Sequence, residues 1–318
     1  MAAAVPVTPD NFARAESTLY FRSVAGRRGI GLFDHNRAVT PIDDQTVIRM
    51  NRDTLYSAAV FDLEAGPVTL TLPEVGERFL SLQVIDEDHY TPLVAYGAGR
   101  HTLERSRIGT RYVLTAIRIL VDPNDPADLA EVHRLQDAIG VEQAGRGVFE
   151  AQAFDAASQQ KIRDALLVLG STLGDTRRMF GKREDVDPVR HLIGSASAWG
   201  GNPDEDALYL NVVPERNDGT TVHRLSLRDV PVDGFWSISV YNAAGYFEPN
   251  DREAYTVNGV TARREGDGSV TVQFGGCDGG APNCLPIVPG WNYMVRLYRP
   301  RREILDGTWR FPEAKPVR

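Results

Sequence analysis

The segment from Val230 to Pro312 decides the fold, and its most regular part, FWSISVYN, runs from Phe235 to Asn242. Successive residues of a strand point to opposite faces of its sheet. One face of this strand therefore carries Phe235, Ser237, Ser239 and Tyr241, and the other face carries Trp236, Ile238 and Val240. This period of two predicts a sheet with two unlike sides, and the segment as a whole predicts an all-β domain.

The same segment carries a family resemblance in the blocks FWSISVYN, GYFEPN, AYTVN, GGCDGG, PGWNYMVRLYRP and GTWRFP. In this order the blocks resemble the C-terminal module of a bacterial family, domain of unknown function 1214. The blocks NRDTLYSAAVFDL and LPEVGERFLSLQVIDEDHY, between Asn51 and Tyr90, resemble its usual N-terminal companion, domain of unknown function 1254. The resemblance spans most of the chain and implies the fold and the compartment, but it implies no reaction.

Length and charge exclude several classes of protein. The chain has 318 residues, of which 42% are hydrophobic and 25% charged, and its formal net charge is -8. This length accommodates two domains, each with its own core. The acidic balance disfavours nucleic-acid binding, and no apolar run reaches the roughly 18 residues that a membrane span needs. We therefore predict a folded protein with no nucleic-acid partner and no membrane span.

The beginning of the chain, MAAAVPVT, is rich in alanine and lacks a basic region. It resembles the residues around a signal-peptidase cut, although an ordinary cytosolic start explains it as well. Because the family resemblance also implies secreted or periplasmic relatives, we expect a periplasmic or secreted protein, with the cytoplasm as the alternative.

Cys277 and Cys284 are the two cysteines of the chain, and they lie in GGCDGGAPNCLP. The glycines and the proline of this stretch allow the backbone to turn tightly enough to bring the two sulfurs together. Two thiols alone make a poor zinc site, because structural zinc takes four ligands. We predict a disulfide rather than free thiols, since disulfides persist in exported proteins.

Patterns along the chain divide it into three parts. Residues 1–125 are predicted to form a β domain with an initial helix, and residues 126–190 a helical connector. Residues 191–318 are predicted to form a jelly-roll-like β domain. The expected fold class is therefore mainly β, with two antiparallel sandwich-like or jelly-roll-like domains and a cleft where their sheets meet.

Several local features refine this division. Asp10 is the expected N-cap of the first helix, whose apolar face is expected to carry Phe12, Ala15, Leu19 and Tyr20. Ser158 is the expected N-cap of a later helix with an apolar stripe that includes Leu169. Residues 47–62 are predicted to form a strand, a turn at NRD and a second strand. NDG at residues 217–219 predicts a β-hairpin.

The densest polar cluster lies at Asn51, Arg52, Asp53 and Tyr56. Arg52 is suited to holding an anionic or carbonyl group through paired hydrogen bonds. Asp53 is then a candidate base, Tyr56 a candidate proton donor, and Asn51 a ligand-binding residue. The alternative is an Asx turn that closes a hairpin, and turn chemistry explains Asn51 and Asp53 as well.

A second cluster follows a predicted strand and comprises Asp86, Glu87, Asp88, His89 and Tyr90. An Asp–His acid–base pair or a divalent metal site fits these residue types, and His89 is the candidate base. Because alternate strand residues face opposite sides, no more than about two of them reach one ion. A hydrogen-bonded structural histidine is the alternative, and no cofactor is predicted beyond a possible divalent metal.

Two glycine-rich loops carry aromatic and amide side chains that suit ligand binding. The first contains Trp199 and Asn202, and the second contains Asn242 and Tyr246. Aromatic faces stack against sugars or small organic molecules, while amides set their orientation. Packing in a core is the alternative role for the aromatic residues.

The sequence supports two hypotheses about function. The first is a hydrolase or lyase that acts on a small polar or anionic substrate with Asp53 or His89, Tyr56 and Arg52. The second is a non-catalytic envelope protein that binds a glycan or another small ligand. GxSxG, GxxxxGK[ST], HExxH and GxGxxG motifs are absent from the sequence, which disfavours the reactions that those motifs carry. A homodimer through an edge strand is possible.

Overall fold

The structure is a computed structural model that describes residues 4–45 and 48–317. Strands account for 27% of it and helices for 22%, which confirms the prediction of a mainly β protein. Residues 1–3 of the alanine-rich start and Val47 lie outside the described residues. Within the described residues, no helix has both the length and the apolar character that a membrane span needs.

Contacts divide the chain into two compact units, and each unit combines separate segments of the sequence. Unit 1 consists of Met1–Arg37, Leu55–Leu120 and Ala127–Asp204. Unit 2 consists of Ala38–Thr54, Val121–Pro126 and Glu205–Arg318. This division differs from the one predicted by sequence patterns in two places. The helical residues after 126 group with the strands of unit 1, and residues 38–54 group with the C-terminal part of the chain.

The elements of unit 1 are α1 (Phe12–Arg28), β1 (Asp34–His35), β2 (Thr54–Asp62), β3 (Val68–Leu72), β4 (Leu80–Asp86), β5 (Leu93–Tyr96), β6 (Gly99–Leu103), α2 (Arg105–Ile108), β7 (Tyr112–Leu120), α3 (Pro126–Asp137), β8 (Gly140–Glu142), α4 (Ala156–Gly170) and α5 (Pro188–Ser197). Five strands form a sheet in the order β1-β2-β7-β4-β5, and three form a sheet in the order β6-β3-β8. The antiparallel pair β4–β7 runs in register from Leu80 opposite Ile119 to Asp86 opposite Val113.

Helix α1 lies on the five-stranded sheet, where Phe21 packs with Val60, Ile85 and Leu114. A second cluster joins α1 to α4 and α5 through Phe12, Leu166 and Ile193. These two clusters bury one side of the helical layer. Strand β4, which contributes Ile85 to the first cluster, is buried along its whole length.

The elements of unit 2 are β9 (Ala207–Val212), β10 (His223–Leu227), β11 (Trp236–Tyr241), β12 (Thr256–Asn258), β13 (Val270–Phe274), β14 (Cys284–Leu285), β15 (Asn292–Tyr298), α6 (Arg302–Leu305) and β16 (Lys315–Pro316). They form two four-stranded sheets, in the orders β14-β13-β10-β16 and β12-β11-β15-β9. All pairings in them are antiparallel except β13–β14. The sandwich and jelly-roll descriptions stay predictions.

The two faces of β11 differ, as the alternation of its residues predicts. Trp236, Ile238 and Val240 belong to a hydrophobic cluster that also contains Val272 and Phe274 of the other sheet. The opposite face carries Ser237, Ser239 and Tyr241, and all three are buried. Unit 2 therefore has an apolar core on one side of this sheet and a buried polar layer on the other.

Several local predictions are wrong. Residues 48–53 form no strand, and the chain enters β2 only at Thr54. The strands on either side of NDG, β9 and β10, belong to different sheets, so no hairpin forms there. A turn signal specifies a local reversal of the backbone, whereas the partner of each strand depends on distant residues.

The helix starts also differ from the predictions, although the helices themselves form. The N-cap of α1 is Asn11 rather than Asp10. The N-cap of α4 is Asp155, whose carboxylate accepts a hydrogen bond from the Ser158 amide. Leu19, Tyr20 and Leu169 are exposed rather than buried. Neighbouring elements cover a narrower stripe of each helix than the helical period predicts.

Candidate functional site

A tight turn follows β4 and fixes the side chain of Asp86. One carboxylate oxygen of Asp86 accepts hydrogen bonds from the amides of Asp88 and Tyr90, each 2.9 Å long. The Asp86 amide donates to the Tyr90 carbonyl, also at 2.9 Å. His89 closes the turn with a φ of 67°, in the left-handed region. The carboxyl group is therefore held at the exit of a rigid strand.

Asp86 lines a cleft of about 300 Å³ inside unit 1. Residues on three segments form its walls: Asp86, Asp88, Tyr90, Pro92, Arg107, Ile108, Gly109, Thr110, Lys182, Arg183 and Glu184. Clefts of this size hold small molecules, and a few polar groups usually set their orientation. This one combines carboxylates, cations and a tyrosine.

The environment of Asp86 changes its acidity. The residue is only 6% exposed. The pKa of its carboxyl is raised to about 7 overall, because burial and the charge of Asp88 raise it more than the amides of Tyr90 and Asp88 and the charge of Arg14 lower it. A carboxyl with this pKa is present in both protonation states near neutral pH, and such groups can donate or accept a proton.

The cations of the cleft differ in their partners. The Arg183 guanidinium lies 3.5 Å from a carboxylate oxygen of Asp88 and 4.5 Å from the centre of the Tyr90 ring. Lys182 is exposed and forms no ion pair with any residue in the described part of the chain. The exposed Lys182 ammonium is therefore available to an anionic ligand.

His89 is buried and uses both ring nitrogens. Its Nε2 accepts a hydrogen bond from the Gly200 amide at 2.8 Å, and its Nδ1 lies 2.8 Å from the Ser195 hydroxyl. Because Nε2 accepts, Nδ1 carries the proton and donates. Burial, and then the charge of His191, lowers the pKa of His89 well below its ordinary value. The base role of His89 stays a prediction, but this geometry is that of a neutral histidine that supports the turn.

Trp199 lies between two other rings. The Tyr20 ring stacks on it at 4.1 Å, and the His89 ring stacks on it at 5.1 Å. Its indole N–H donates to the Ser17 hydroxyl at 3.1 Å. A ligand would have to displace one of these rings to stack on Trp199, so the predicted platform is covered in this structure.

The Asn51–Asp53 cluster belongs to unit 2 and covers the polar layer of its sheet. Asn51 donates to the Tyr298 hydroxyl at 2.7 Å and accepts from the Asp53 amide at 2.6 Å. One oxygen of Asp53 accepts from Thr256 at 3.1 Å and Asn258 at 3.3 Å. The other oxygen is buried and has no partner among the described residues. Asp53 is thus fully buried, at 0% exposure.

Arg296, which the sequence analysis did not single out, organises this polar layer. Its guanidinium donates to Ser239 at 2.9 Å, to the Tyr241 hydroxyl at 2.8 Å and to the Arg49 carbonyl at 2.8 Å. Burial lowers the pKa of Arg296, but Tyr241, Tyr298 and Asp53 outweigh burial and raise it overall. An arginine within the apolar run NYMVRLY is the sequence signal that could have identified it.

Arg52 lies over two aromatic rings in unit 2. Its guanidinium is 5.0 Å from the centre of the Tyr255 ring and 6.0 Å from that of Phe247, and it donates to the Thr40 carbonyl. Burial lowers its pKa, against the effects of Tyr255 and Glu253. Within the described residues its guanidinium has no carboxylate partner, so the predicted anion-binding role stays open.

The remaining predicted residues are divided between the units. In unit 1, the Tyr56 ring lies 5.2 Å from the Arg118 guanidinium, which also donates to Asn202. In unit 2, the Asn242 side chain accepts from the Tyr246 amide at 3.0 Å and closes a turn. The structure thus joins His89 to Trp199 in unit 1 and leaves Asp53 in unit 2.

Two chemical predictions concern the cysteines and metals. Cys277 and Cys284 form a disulfide, as the sequence predicts. In residues 4–45 and 48–317, no group of three His, Cys, Asp or Glu side chains is arranged to hold a metal ion. The acidic run at Asp86 contributes the carboxyls of Asp86 and Asp88 to a cleft, and a divalent metal there stays an untested prediction.

Comparison with known proteins agrees with the family resemblance. Residues 30–106 match the family described as "Protein of unknown function (DUF1254)", and residues 213–302 match "Protein of unknown function (DUF1214)". The crystal structure of the VPA0106 protein from Vibrio parahaemolyticus is similar, with a TM-score of 0.76, 17% identity and 98% of each chain covered. A putative uncharacterised protein from Burkholderia cenocepacia has a TM-score of 0.52 at 13% identity, over 92% of this chain and 84% of its own. No curated protein matches in sequence.

Proposed function

We propose that this chain, which belongs to the proteins that pair domain of unknown function 1254 with domain of unknown function 1214, is an enzyme that binds a small anionic molecule in the cleft of unit 1. Asp86 is the proton-transferring residue of this enzyme. The observation that carries the proposal is a carboxyl with a pKa of about 7 that lines a cleft with cations at its edge. Strongly perturbed groups in clefts are candidates for function.

The chemistry within reach of the cleft is proton transfer. As a base, Asp86 would take a proton from water or from a carbon beside a carbonyl, and as an acid it would return that proton to the leaving group. Removal of a proton from water leads to hydrolysis, and removal of a proton from carbon begins an elimination. The proposal therefore retains both the hydrolase and the lyase classes. Lys182 and Arg183 would hold the anionic group of the substrate, which fits a small carboxylate or phosphate.

Substitution of Asp86 separates catalysis from binding. Ester, lactone and sugar-acid substrates are screened with the wild type, with Asp86→Asn and with Asp10→Asn as an exposed control. We expect Asp86→Asn to lower turnover by about 10²–10⁴-fold, the contribution usual for general acid–base catalysis. Unchanged turnover in Asp86→Asn would remove this residue from the mechanism.

Ligand binding is measured separately by thermal shift, because a ligand that binds only the folded state raises the melting temperature. We expect stabilisation by small carboxylates or phosphate, and less of it in Lys182→Ala. Stabilisation without any turnover would favour the second hypothesis, a ligand-binding protein without chemistry. Absence of stabilisation by any anion would reject the cleft as an anion site.

Two further proposals concern compartment and assembly. We propose that the protein is exported to the periplasm or secreted, and the disulfide supports this because such bonds persist in oxidising compartments. Cell fractionation tests it, and recovery only from the cytoplasm would reject it. A homodimer is also proposed, and light scattering during size exclusion measures it directly; a monomeric mass would exclude it.

A further inference from the structure

One histidine on α5 contacts both walls of the cleft. His191 is 5% exposed. Its Nε2 lies 3.0 Å from the Asp88 carbonyl, in the turn that carries Asp86. Its Nδ1 lies 3.0 Å from the Met179 carbonyl, which precedes the segment that carries Lys182 and Arg183. A single imidazole ring therefore connects the carboxylate wall to the cationic wall.

Both hydrogen-bond partners of His191 are acceptors, and this restricts the protonation state of its ring. A carbonyl oxygen only accepts hydrogen bonds, and a neutral imidazole has one N–H to donate. The neutral ring can thus bind one of the two carbonyls, whereas the imidazolium donates to both. His89 is different, because its Nε2 faces a donor, the amide of Gly200.

Ring stacking extends the same connection to the surface of the cleft. The Tyr90 ring lies parallel to that of His191, with a centroid distance of 4.5 Å and an interplanar angle of 7°. The Arg183 guanidinium lies 4.5 Å from the Tyr90 ring. The position of His191 therefore also fixes Tyr90 and, through it, Arg183.

We propose that His191 is a positioning residue of the cleft, whose protonated ring holds residues 86–90 and residues 179–183 together and whose neutral ring releases one of them. The positioning role rests on the proposed function only where it concerns an effect of His191 on catalysis. One direct link between the walls is independent of the ring, because the Thr91 amide donates to the Gly181 carbonyl at 2.8 Å. Loss of the proton would therefore loosen the cleft without unfolding it.

The titratable and charged groups around His191 are His89, Tyr90, Asp86 and Asp88 of the turn, Arg183 of the facing segment, Asp187 and Arg190 of α5, and Arg14 of α1, which pairs with Asp88. His89 stacks on His191 at 5.5 Å. Burial and the charge of His191 lower the pKa of His89, so the neutral partner of this pair is His89. The Asp187 carbonyl accepts the His191 amide at 2.7 Å.

Nitrogen-15 NMR of histidine-labelled, full-length wild-type protein tests the hydrogen bonds directly. At about pH 5.5, where an ordinary imidazole is protonated, we expect two slowly exchanging ring N–H signals from His191. His89 is the internal control and should give one, from Nδ1. A single ring N–H from His191 at this pH would overturn the proposal, and this measurement needs no variant to fold.

Hydrogen exchange tests the consequence for the walls. His191→Phe keeps a ring to stack on Tyr90 but removes both donors, and His133→Phe is the control, since the His133 ring is hydrogen-bonded to the Arg37 carbonyl, outside the cleft. At about pH 5.5 we expect amides in residues 86–92 and 179–184 to exchange at least about tenfold faster in His191→Phe than in the wild type, because the variant lacks both ring donors to the Asp88 and Met179 carbonyls.

The outcomes separate this inference from the proposed function. Unchanged exchange in His191→Phe would overturn the positioning role whatever the cleft binds. Faster exchange on both walls, together with no stabilisation of the wild type by phosphate, would support the positioning role and reject the anion site. Faster exchange together with weaker phosphate stabilisation in His191→Phe would support both.

Discussion

Replacement of Arg296 by methionine tests the buried polar layer of unit 2. Arg296 is 3% exposed and is the main donor to this layer. Methionine retains much of the length and apolar volume of the stem but removes the charge and every N–H. The variant therefore isolates the electrostatic and hydrogen-bonding role of the guanidinium from its packing.

The magnitude follows from the groups that lose a partner. The carbonyl of the half-buried Arg49 has Arg296 as its hydrogen-bond donor, and leaving an acceptor without its partner costs up to about 1–3 kcal/mol. Asp53, fully buried with one oxygen lacking a partner, also loses its nearby cation. Asp53 acts on Arg296 through its charge, without an ion-pair contact among the described residues, so the loss should be smaller than the roughly 3–5 kcal/mol that removing one member of a buried ion pair costs. We expect Arg296→Met to destabilise unit 2 by about 1–3 kcal/mol.

Urea unfolding followed by tryptophan fluorescence measures this loss. Trp236, Trp291 and Trp309 belong to unit 2 and Trp199 to unit 1, so the signal reports mainly on the unit that carries the substitution. Arg301→Met is the matched control, because Arg301 is exposed and pairs with an exposed aspartate. It should leave the transition unchanged.

A second substitution identifies the source of the effect. Asp53→Asn removes the buried negative charge, so the double variant should be less destabilised than the sum of the two single variants. Loss of less than about 1 kcal/mol in Arg296→Met would refute the reasoning, because it would mean that water reaches the groups counted as buried.

Three further predictions concern separate features of the chain. Asp86 binds a proton in the folded state that the unfolded state releases between about pH 4 and pH 7, so stability should fall by about 4 kcal/mol across this window; Asp86→Asn should remove the fall in urea titrations, and an equal slope in both proteins would contradict it. Cys277→Ser with Cys284→Ser should lower the stability of unit 2 by about 2 kcal/mol; a reductant that shifts this double variant as much as the wild type would contradict it. Gly219 has a φ of 81°, and an added Cβ would lie 2.4 Å from the Pro289 nitrogen; Gly219→Ala should therefore cost more than about 1 kcal/mol by thermal unfolding, and a neutral effect would show that the loop can move.

Features that depend on neighbouring residues are predictable from the chain. The unlike faces of β11 follow from alternation, because successive strand residues must point in opposite directions. The disulfide between Cys277 and Cys284 follows from a short glycine-rich loop that returns on itself. The NDG stretch at residues 217–219 does not form the predicted hairpin, for the complementary reason. Its glycine does turn the chain, but which strands pair is decided by the cores they join.

The candidate site was only partly predictable. The run from Asp86 to Tyr90 was selected for its polar residues, and it does form one wall of a cleft. His89 was favoured within the run because histidine titrates near neutral pH. The structure instead buries His89 against Gly200 and Ser195 and turns Asp86 towards the cleft. Residues 182–200, which surround Asp86 and His89, are distant from them in sequence. The local sequence therefore did not predict which of the two side chains lines the cleft.

The sequence by itself determined the mainly β character, the family, the disulfide and the strand that ends at Asp86. Each of these depends on periodicity or on residues close together in the chain. Only the tertiary structure decided that Asp86 has a pKa of about 7, that His191 connects two walls of a cleft, and that Arg296 organises a buried polar layer. Desolvation and hydrogen-bond geometry depend on which distant segments exclude water from a side chain, and the local sequence does not encode that.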